Sequence, residues 1–311
     1  MNLSASIERG LAYVLSHQAT IGFWSDWQLP PGESQMWTTA YVGYRLSGLC
    51  SRYGATLDKP LMSARNWLWG EQFSNGGWGY SHQTGPDADS TSLALLFLGN
   101  HNDVAKSQRT LCMHQQIDGG FSTYTRDLSF GSWVQSHPDV TATALLALLP
   151  TAFSFTDEAA AGVNYLRNHK RQDGLWSSFW WTSCLYTTEM TLAFLRETRQ
   201  RLDCGLLISS LMKIPIPTAF ETALLLMCLT RLGQARRLNT TEQATALRDE
   251  QKPDGSWRGR QILRLTSREV YEPWNVADAG PLFADQNHLF TTATVLAALG
   301  ALEIAREAAD D

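Results

Sequence analysis

Asn75-Gly76-Gly77-Trp78-Gly79-Tyr80, then Pro86-Asp87-Ala88-Asp89-Ser90-Thr91 and the apolar run Leu93 to Leu98, form the stretch whose reading decides the fold. A Gly-aromatic turn is followed by a helix that opens on capping residue types and continues in Ala and Leu. The same unit recurs along the chain. The other turns are Gly22-Phe23-Trp24, Gly119-Gly120-Phe121, Gly174-Leu175-Trp176 and Gly255-Ser256-Trp257. Helices rich in Ala and Leu are expected after them at Trp37–Leu46, Asp139–Leu149, Tyr186–Leu195 and Phe290–Leu299, alongside Asp89–Leu98. A sixth unit, Leu206–Leu232, keeps two helices but has lost the turn. Asn75, Gln116 with Asp118, Gln172 with Asp173, and Gln251 with Asp254 preface the turns.

Repeats of roughly 40 to 55 residues mean stacked helical hairpins whose apolar faces are buried by their neighbours. Six of them predict an all-α chain closed into a ring, an (α/α)6 toroid occupying 1–311 as one domain with a central cavity. No strand pattern is present. The N-termini of the inner helices should face one mouth of that cavity, with Asp87 and Asp89 among them.

Composition narrows the function. The 311 residues carry a net charge of −5, which argues against a nucleic-acid surface. Five scattered Cys without a Cys-x-x-Cys pair fit free thiols in a reducing cytoplasm and offer no disulfide or zinc framework. Met1–Ser16 reads as an amphipathic helix rather than a signal peptide. The most apolar stretch, Leu206–Leu229, is broken by Lys213, Pro215, Pro217 and Glu221, so no membrane span is expected. Attachment to one leaflet stays open, and the oligomeric state is not encoded in any motif.

Two readings of Asp87-Ala88-Asp89 compete. One carboxylate caps the helix, or the pair, buried and mutually repelling, keeps one carboxyl protonated as an acid. The wider constellation bears on the choice. The Gln-…-Gly-x-Trp turns resemble the QW motif of the squalene–hopene cyclase and class II terpene cyclase family, and Asp87-Ala88-Asp89-Ser90-Thr91 resembles that family's Asp-x-Asp-Asp-Thr acid motif. Further segments resemble it in order: Trp37-Thr38-Thr39, Gly77-Trp78-Gly79-Tyr80, Gly120-Phe121-Ser122-Thr123-Tyr124, His137-Pro138-Asp139-Val140-Thr141-Ala142, and Gly174-Leu175-Trp176 with Trp180 and Tyr186-Thr187-Thr188. The similarity covers the acid-bearing barrel of a family that has two.

The resemblance implies Asp89 as proton donor, Asp87 as its neighbour and Asp139 as a supporting carboxylate. It implies Trp37, Tyr80, Tyr124, Trp180 and Tyr186 as cavity aromatics, whose faces stabilise carbocations. Ser90 stands where the family has its third Asp, and Thr143 where it has the His that polarises the acid. Either the acid is weaker and the alkene more reactive or better placed, or His82 or His137 substitutes from a neighbouring loop; the competing reading of each His is a simple loop residue. Arg258, Arg260, Arg264 and Arg268 either form a clamp for a diphosphate or lie on a solvated helix face. The implied activity is cyclisation of a linear isoprenoid of roughly C10 to C20, sized to a single barrel cavity. No cofactor is required, and Mg²⁺ enters only with a diphosphate substrate. A protein prenyltransferase would need an Asp-x-Cys zinc site, which is missing; His288 alone is not one. An (α/α)6 glycosidase with paired carboxylates about 5 to 10 Å apart, or a silent lipid- or partner-binding scaffold, are the competing readings.

Overall fold

The computed structural model describes residues 3–99, 104–199 and 204–308. Its inner helices are α2 (Met36–Ser47), α4 (Ala88–Leu98), α6 (Pro138–Leu148), α8 (Leu185–Glu197), α10 (Ala219–Arg231) and α12 (Leu289–Glu307). Outside them lie α1 (Ser4–Ser16), α3 (Cys50–Gly70), α5 (Ala105–Cys112), α7 (Asp157–Asn168), α9 (Cys204–Leu211) and α11 (Leu238–Glu250). Each inner helix packs on the next, and α12 packs back on α2, which closes the ring. The expected toroid is therefore what forms. The packing partners differ from the sequence units, though. The outer helices α3, α5, α7 and α11 lean mainly on the inner helix that precedes them, α9 instead meets α10, and α1 reaches across to cover α12. The two ends of the chain thereby complete one another.

The turns explain the repeat chemically. The indole N–H groups of Trp24, Trp78, Trp176 and Trp257 donate to the carbonyls of Val14, Leu68, Leu166 and Leu247, each in the last turn of an outer helix, where carbonyls lack full intrahelical partners. Their backbone N–H groups donate to the hydroxyls of Thr39, Thr91, Thr188 and Thr292 on the inner helices. Phe121 has no indole but keeps its bond to Thr141. The Asx residues Asn75, Asp118, Asp173 and Asp254 each accept the N–H two positions on. The stapling amides are Gln18, Gln72, Gln115 and Gln251, which donate to the turn glycine and also to the neighbouring outer element at Pro60, Ser107, Glu158 and Ser6. Gln115 rather than Gln116 is thus the staple in the third turn. In the fourth turn Lys170 occupies that place, with its ammonium over the Trp176 ring.

Gly119 shows why the turn needs glycine. Its φ is +88°, and a Cβ there would lie 2.4 Å from the Ala161 carbonyl oxygen of α7. Replacing it by alanine combines left-handed strain with a backbone clash, so Gly119→Ala should lower stability by about 3 kcal/mol. Urea unfolding followed by circular dichroism checks this; a loss below about 1 kcal/mol would mean that α7 shifts freely.

Strands do occur, contrary to the sequence expectation. β1 (Asp26–Leu29) pairs antiparallel with β2 (Gly32–Ser34), and β3 (Gln261–Arg264) with β4 (Leu282–Ala284). With three or four residues each they are too short to show a period-2 pattern. Both hairpins lie in connections that lead into inner helices, and β1 touches β4. Length and hydropathy alone would let α12 cross a membrane, but it is the last inner helix of the ring and 67% of its most apolar window is buried.

Candidate active site

A cavity of about 440 Å³ opens at the N-terminal ends of the inner helices. Its wall includes Trp37, Tyr80, Asp87, Asp89, Tyr124, Trp133, Trp180, Trp181, Arg264 and Arg268. Sequence distance between these residues is large because each repeat contributes only the few residues around one helix start.

Asp87 and Asp89 have different tasks. Asp87 is the N-cap of α4: its Oδ1 accepts the Ser90 N–H at 2.7 Å, and its Oδ2 accepts the Ser90 hydroxyl at 2.8 Å and the Tyr80 N–H at 3.1 Å. Burial nevertheless pushes this carboxyl up to about 6. Asp89, two residues on, receives one protein hydrogen bond, from the Trp37 indole N–H to Oδ2 at 2.8 Å. Its Oδ1 has no hydrogen-bond partner among the described residues. Burial first, then the Asp87 charge, push the Asp89 carboxyl up to about 8; Asp139 adds to this from farther off. Asp87 thus takes the cap reading, while Asp89 keeps the raised carboxyl and the open oxygen that the acid reading requires.

Asp139 lies on α6, outside the cavity wall. Its Oδ2 accepts the Phe179 and Trp180 N–H groups, both at 2.9 Å, so it fixes the turn that presents the Trp180 ring. Burial pushes it up to about 6. The Trp180 indole donates to Thr123 at 2.9 Å, and its ring meets Trp133 edge-on with centroids 5.3 Å apart. The Tyr80 hydroxyl donates towards the carbonyls of Trp27 and Gly32, leaving the ring face for the cavity. Tyr124 packs against Phe130 and Trp133.

Four expected residues fall elsewhere. Tyr186 is fully buried and stacks behind Trp181 at 4.3 Å, so Trp181 is the ring that reaches the cavity. The Thr143 hydroxyl bonds back to the Asp139 carbonyl within α6 and does not reach the acid. Arg258 and Arg260 are exposed and off the wall, while Arg264 and Arg268 are on it. All four lie in β3 and its flanking loops, not on a helix face. Neither histidine replaces the family's imidazole. His137 is buried against Phe179 and kept neutral by burial, its pKa pushed down to about 3. His82 is largely exposed and paired with Glu71. The side chain that hydrogen-bonds Asp89 is the Trp37 indole.

Trp133, Phe130 and Trp181 were not picked out as wall residues from the sequence, although Trp181 neighbours Trp180 there. At the mouth the Arg268 guanidinium lies 4.4 Å from the Phe130 centroid and 4.8 Å from that of Trp133. Arg264 is half-buried, and its Nη1 is buried without a hydrogen-bond partner. Among the described residues no three His, Cys, Asp or Glu side chains converge on a metal position. Asp87 already receives three donors, so the wall offers Mg²⁺ no protein cage; a diphosphate would have to carry the ion itself.

Comparison with known proteins bears on this geometry. Residues 91–198 match the family model described as squalene-hopene cyclase C-terminal domain. No curated protein shows significant sequence similarity to the chain. Among solved structures, a variant of the type II terpene cyclase MstE from Scytonema, in complex with geranylgeranyl dihydroxybenzoate as substrate, aligns with TM-score 0.85 at 24% identity, covering 97% of this chain and 98% of that one. Another MstE variant, in complex with the product merosterolic acid A, gives 0.82 at 25% identity and covers 97% of each chain. The GH76 α-mannanase BT2949 from Bacteroides thetaiotaomicron gives 0.64 at 12% identity over 100% of this chain and 98% of that one. The resemblance read from the motifs is borne out by the family model over 91–198 and by the shared fold over nearly the whole chain.

Proposed function

We propose that this domain is a protonation-initiated terpene cyclase that converts a linear isoprenoid with an anionic head group to a cyclic terpenoid. One observation carries this reading: the cavity holds a single carboxyl with an uncommitted oxygen, Asp89, which burial pushes up to about 8, among aromatic side chains. A glycosidase needs two available carboxylates. Here Asp87 is committed to three donors of its helix cap and Asp139 is turned into backbone N–H groups, so the α-mannanase likeness extends to the fold alone.

The chemistry follows from the atoms. With Oδ2 accepting from Trp37, the acidic proton resides on Oδ1, facing the cavity. An alkene π pair takes that proton, forming a C–H bond and leaving positive charge on the adjacent tertiary carbon. The next alkene attacks that carbon, closing a ring and moving the charge onward, until loss of a proton or capture of water ends the series. Trp37, Tyr80, Tyr124, Trp180 and Trp181 offer π faces along this path, each worth about 2 kcal/mol to a desolvated cation. The Asp89 carboxylate left behind keeps the Trp37 N–H as donor until solvent returns a proton.

Arg264 and Arg268 suit the head group, a diphosphate or an aromatic acid, and MstE's prenylated benzoate supports the second. The unpartnered Nη1 of Arg264 supplies a buried donor, and Arg268 closes the mouth. Arg268→Gln should raise KM about tenfold for an anionic substrate while leaving that for the uncharged prenyl alcohol unchanged. Equal effects on both would remove the head-group role.

The deciding experiment incubates the purified protein with C15 and C20 prenyl diphosphates, the free alcohols, prenylated benzoic acids and soluble manno-oligosaccharides, with products read by mass spectrometry. A cyclic isomer of an isoprenoid is the expected result; cleaved oligosaccharide and no cyclised product would overturn the proposal. The acid also has a pH signature. Because its folded pKa is raised to about 8, Asp89 is protonated and active below that value. kcat/KM should fall about tenfold per pH unit above it. A limb near the ordinary carboxylate range would assign the proton to another group.

A further inference from the structure

At the opposite end of the ring, where the inner helices finish, lies a second cavity of about 560 Å³, larger than the first. The two are separated by packed rings along the axis: Phe290 lies against Trp37, Tyr41, Trp181 and Phe220. Its volume falls within the range that holds a small molecule. The wall combines hydrocarbon with a single sign of charge. Leu96, Met227, Ala297 and Ala301 supply apolar surface, and the ionisable side chains on it, apart from Tyr44, are Arg45, Arg196 and Arg231.

The charge arithmetic leaves an excess. Arg45 and Arg231 share the fully buried Glu189, at 3.0 and 2.8 Å. Two arginines on one carboxylate leave one net positive charge; Arg196, exposed in the last turn of α8, has no partner among the described residues, and the neighbouring Glu197, off the wall, is the carboxylate near enough to act on Tyr44. Two further groups are unfinished: Arg45 Nε and Thr230 Oγ1 have no hydrogen-bond partner, although the residues are only 3% and 7% exposed. Helix C-termini draw cations, but that attraction is fractional and does not leave donors unpaired in a hydrocarbon wall. Arg231, still 23% exposed in its side chain while paired, can turn a guanidinium edge outward.

We propose that this second cavity binds a single-chain amphipathic anion, its head group against Arg196 and Arg231 and its hydrocarbon on Leu96, Met227, Ala297 and Ala301. The site is separate from the Asp89 cavity and does not depend on the reaction assigned there. Charge-assisted hydrogen bonds from arginine fix the head, and the apolar wall selects an alkyl chain over an inorganic anion.

Titration calorimetry of the full chain with dodecanoate below its micelle concentration tests this, with dodecanol and dodecyltrimethylammonium as comparison ligands. The expected result is binding of dodecanoate at least about tenfold tighter than of either comparison ligand. Arg196→Gln, a surface change compatible with folding, should weaken dodecanoate about tenfold, and Ala301→Trp, which fills the cavity, should abolish it. Arg268→Gln should leave it unchanged. No binding, equal binding of dodecanol, or loss in Arg268→Gln but not in Arg196→Gln would each overturn the proposal, the last by placing the ligand in the other cavity.

Discussion

Asp89→Asn is expected to lower the rate of cyclisation by at least about 10³-fold while leaving substrate affinity within a few-fold of the parent protein. The substitution preserves shape, and the asparagine side-chain oxygen can still accept the Trp37 indole N–H that now reaches Oδ2. What disappears is a proton that can be given to carbon. An alkene is so weak a base that initiation needs a full acid aimed into a water-poor pocket, and among the wall carboxyls Asp89 is the one with an uncommitted oxygen. Asp87 cannot take over. Its two oxygens accept three donors, and its proton would have to leave the helix cap. Stability should hold or rise slightly, because burial and the neighbouring Asp87 charge both penalise the carboxylate form of Asp89. Single-turnover product formation, read beside a binding titration, separates the two effects. Activity within tenfold of the parent, with binding intact, would transfer the donor role to another group and remove the mechanism.

The division of labour between Asp87 and Asp89 shows which parts of the site were legible in the chain. Capping residue types before an Ala- and Leu-rich run marked the helix starts, and the Gly-aromatic turns marked the repeat, because both are local signals. Position across repeats was not local. Nothing within a window around Trp37 indicates that its indole reaches a carboxylate 52 residues away. Tyr186 was misplaced for a related reason. The first three turns of α8 are buried on every side, so no periodicity separates a face on the cavity from one behind Trp181. The arginines turned on a short hairpin. β3 begins after Arg260 and ends at Arg264, which puts the first two in solvent and carries the last two over the mouth. Strands this short leave no pattern to read.

Asp26→Ala is expected to cost about 3 to 5 kcal/mol of stability, the largest loss from any single side chain considered for this ring. The residue is 1% exposed and ties the first repeat to the last. Its Oδ1 accepts the Trp27 N–H at 2.9 Å and the Asn287 N–H at 2.8 Å, and its Oδ2 accepts the Leu289 N–H at 2.8 Å with Phe290 farther off at 3.4 Å. These are donors at the start of α12, where no intrahelical acceptor exists, so a carboxylate from β1 does the capping. His288, in the N-cap position, makes no side-chain cap bond. Alanine would strand those donors in a dry interior. It would also release Trp27, whose φ of +58° costs about 1 to 3 kcal/mol and is held in place by the bond to Asp26. Relaxation there recovers part of the loss but moves a ring that packs on Trp37 and Phe290, beside the Asp89 cavity. The variant should therefore combine a lower guanidinium midpoint with altered tryptophan fluorescence and slower cyclisation. Asp26→Asn, which keeps one acceptor oxygen, should fall between the two proteins in all three readouts. An unchanged midpoint in Asp26→Ala would mean that the ring is closed by the packing of α12 on α1 and α2, with the cross-chain cap contributing little.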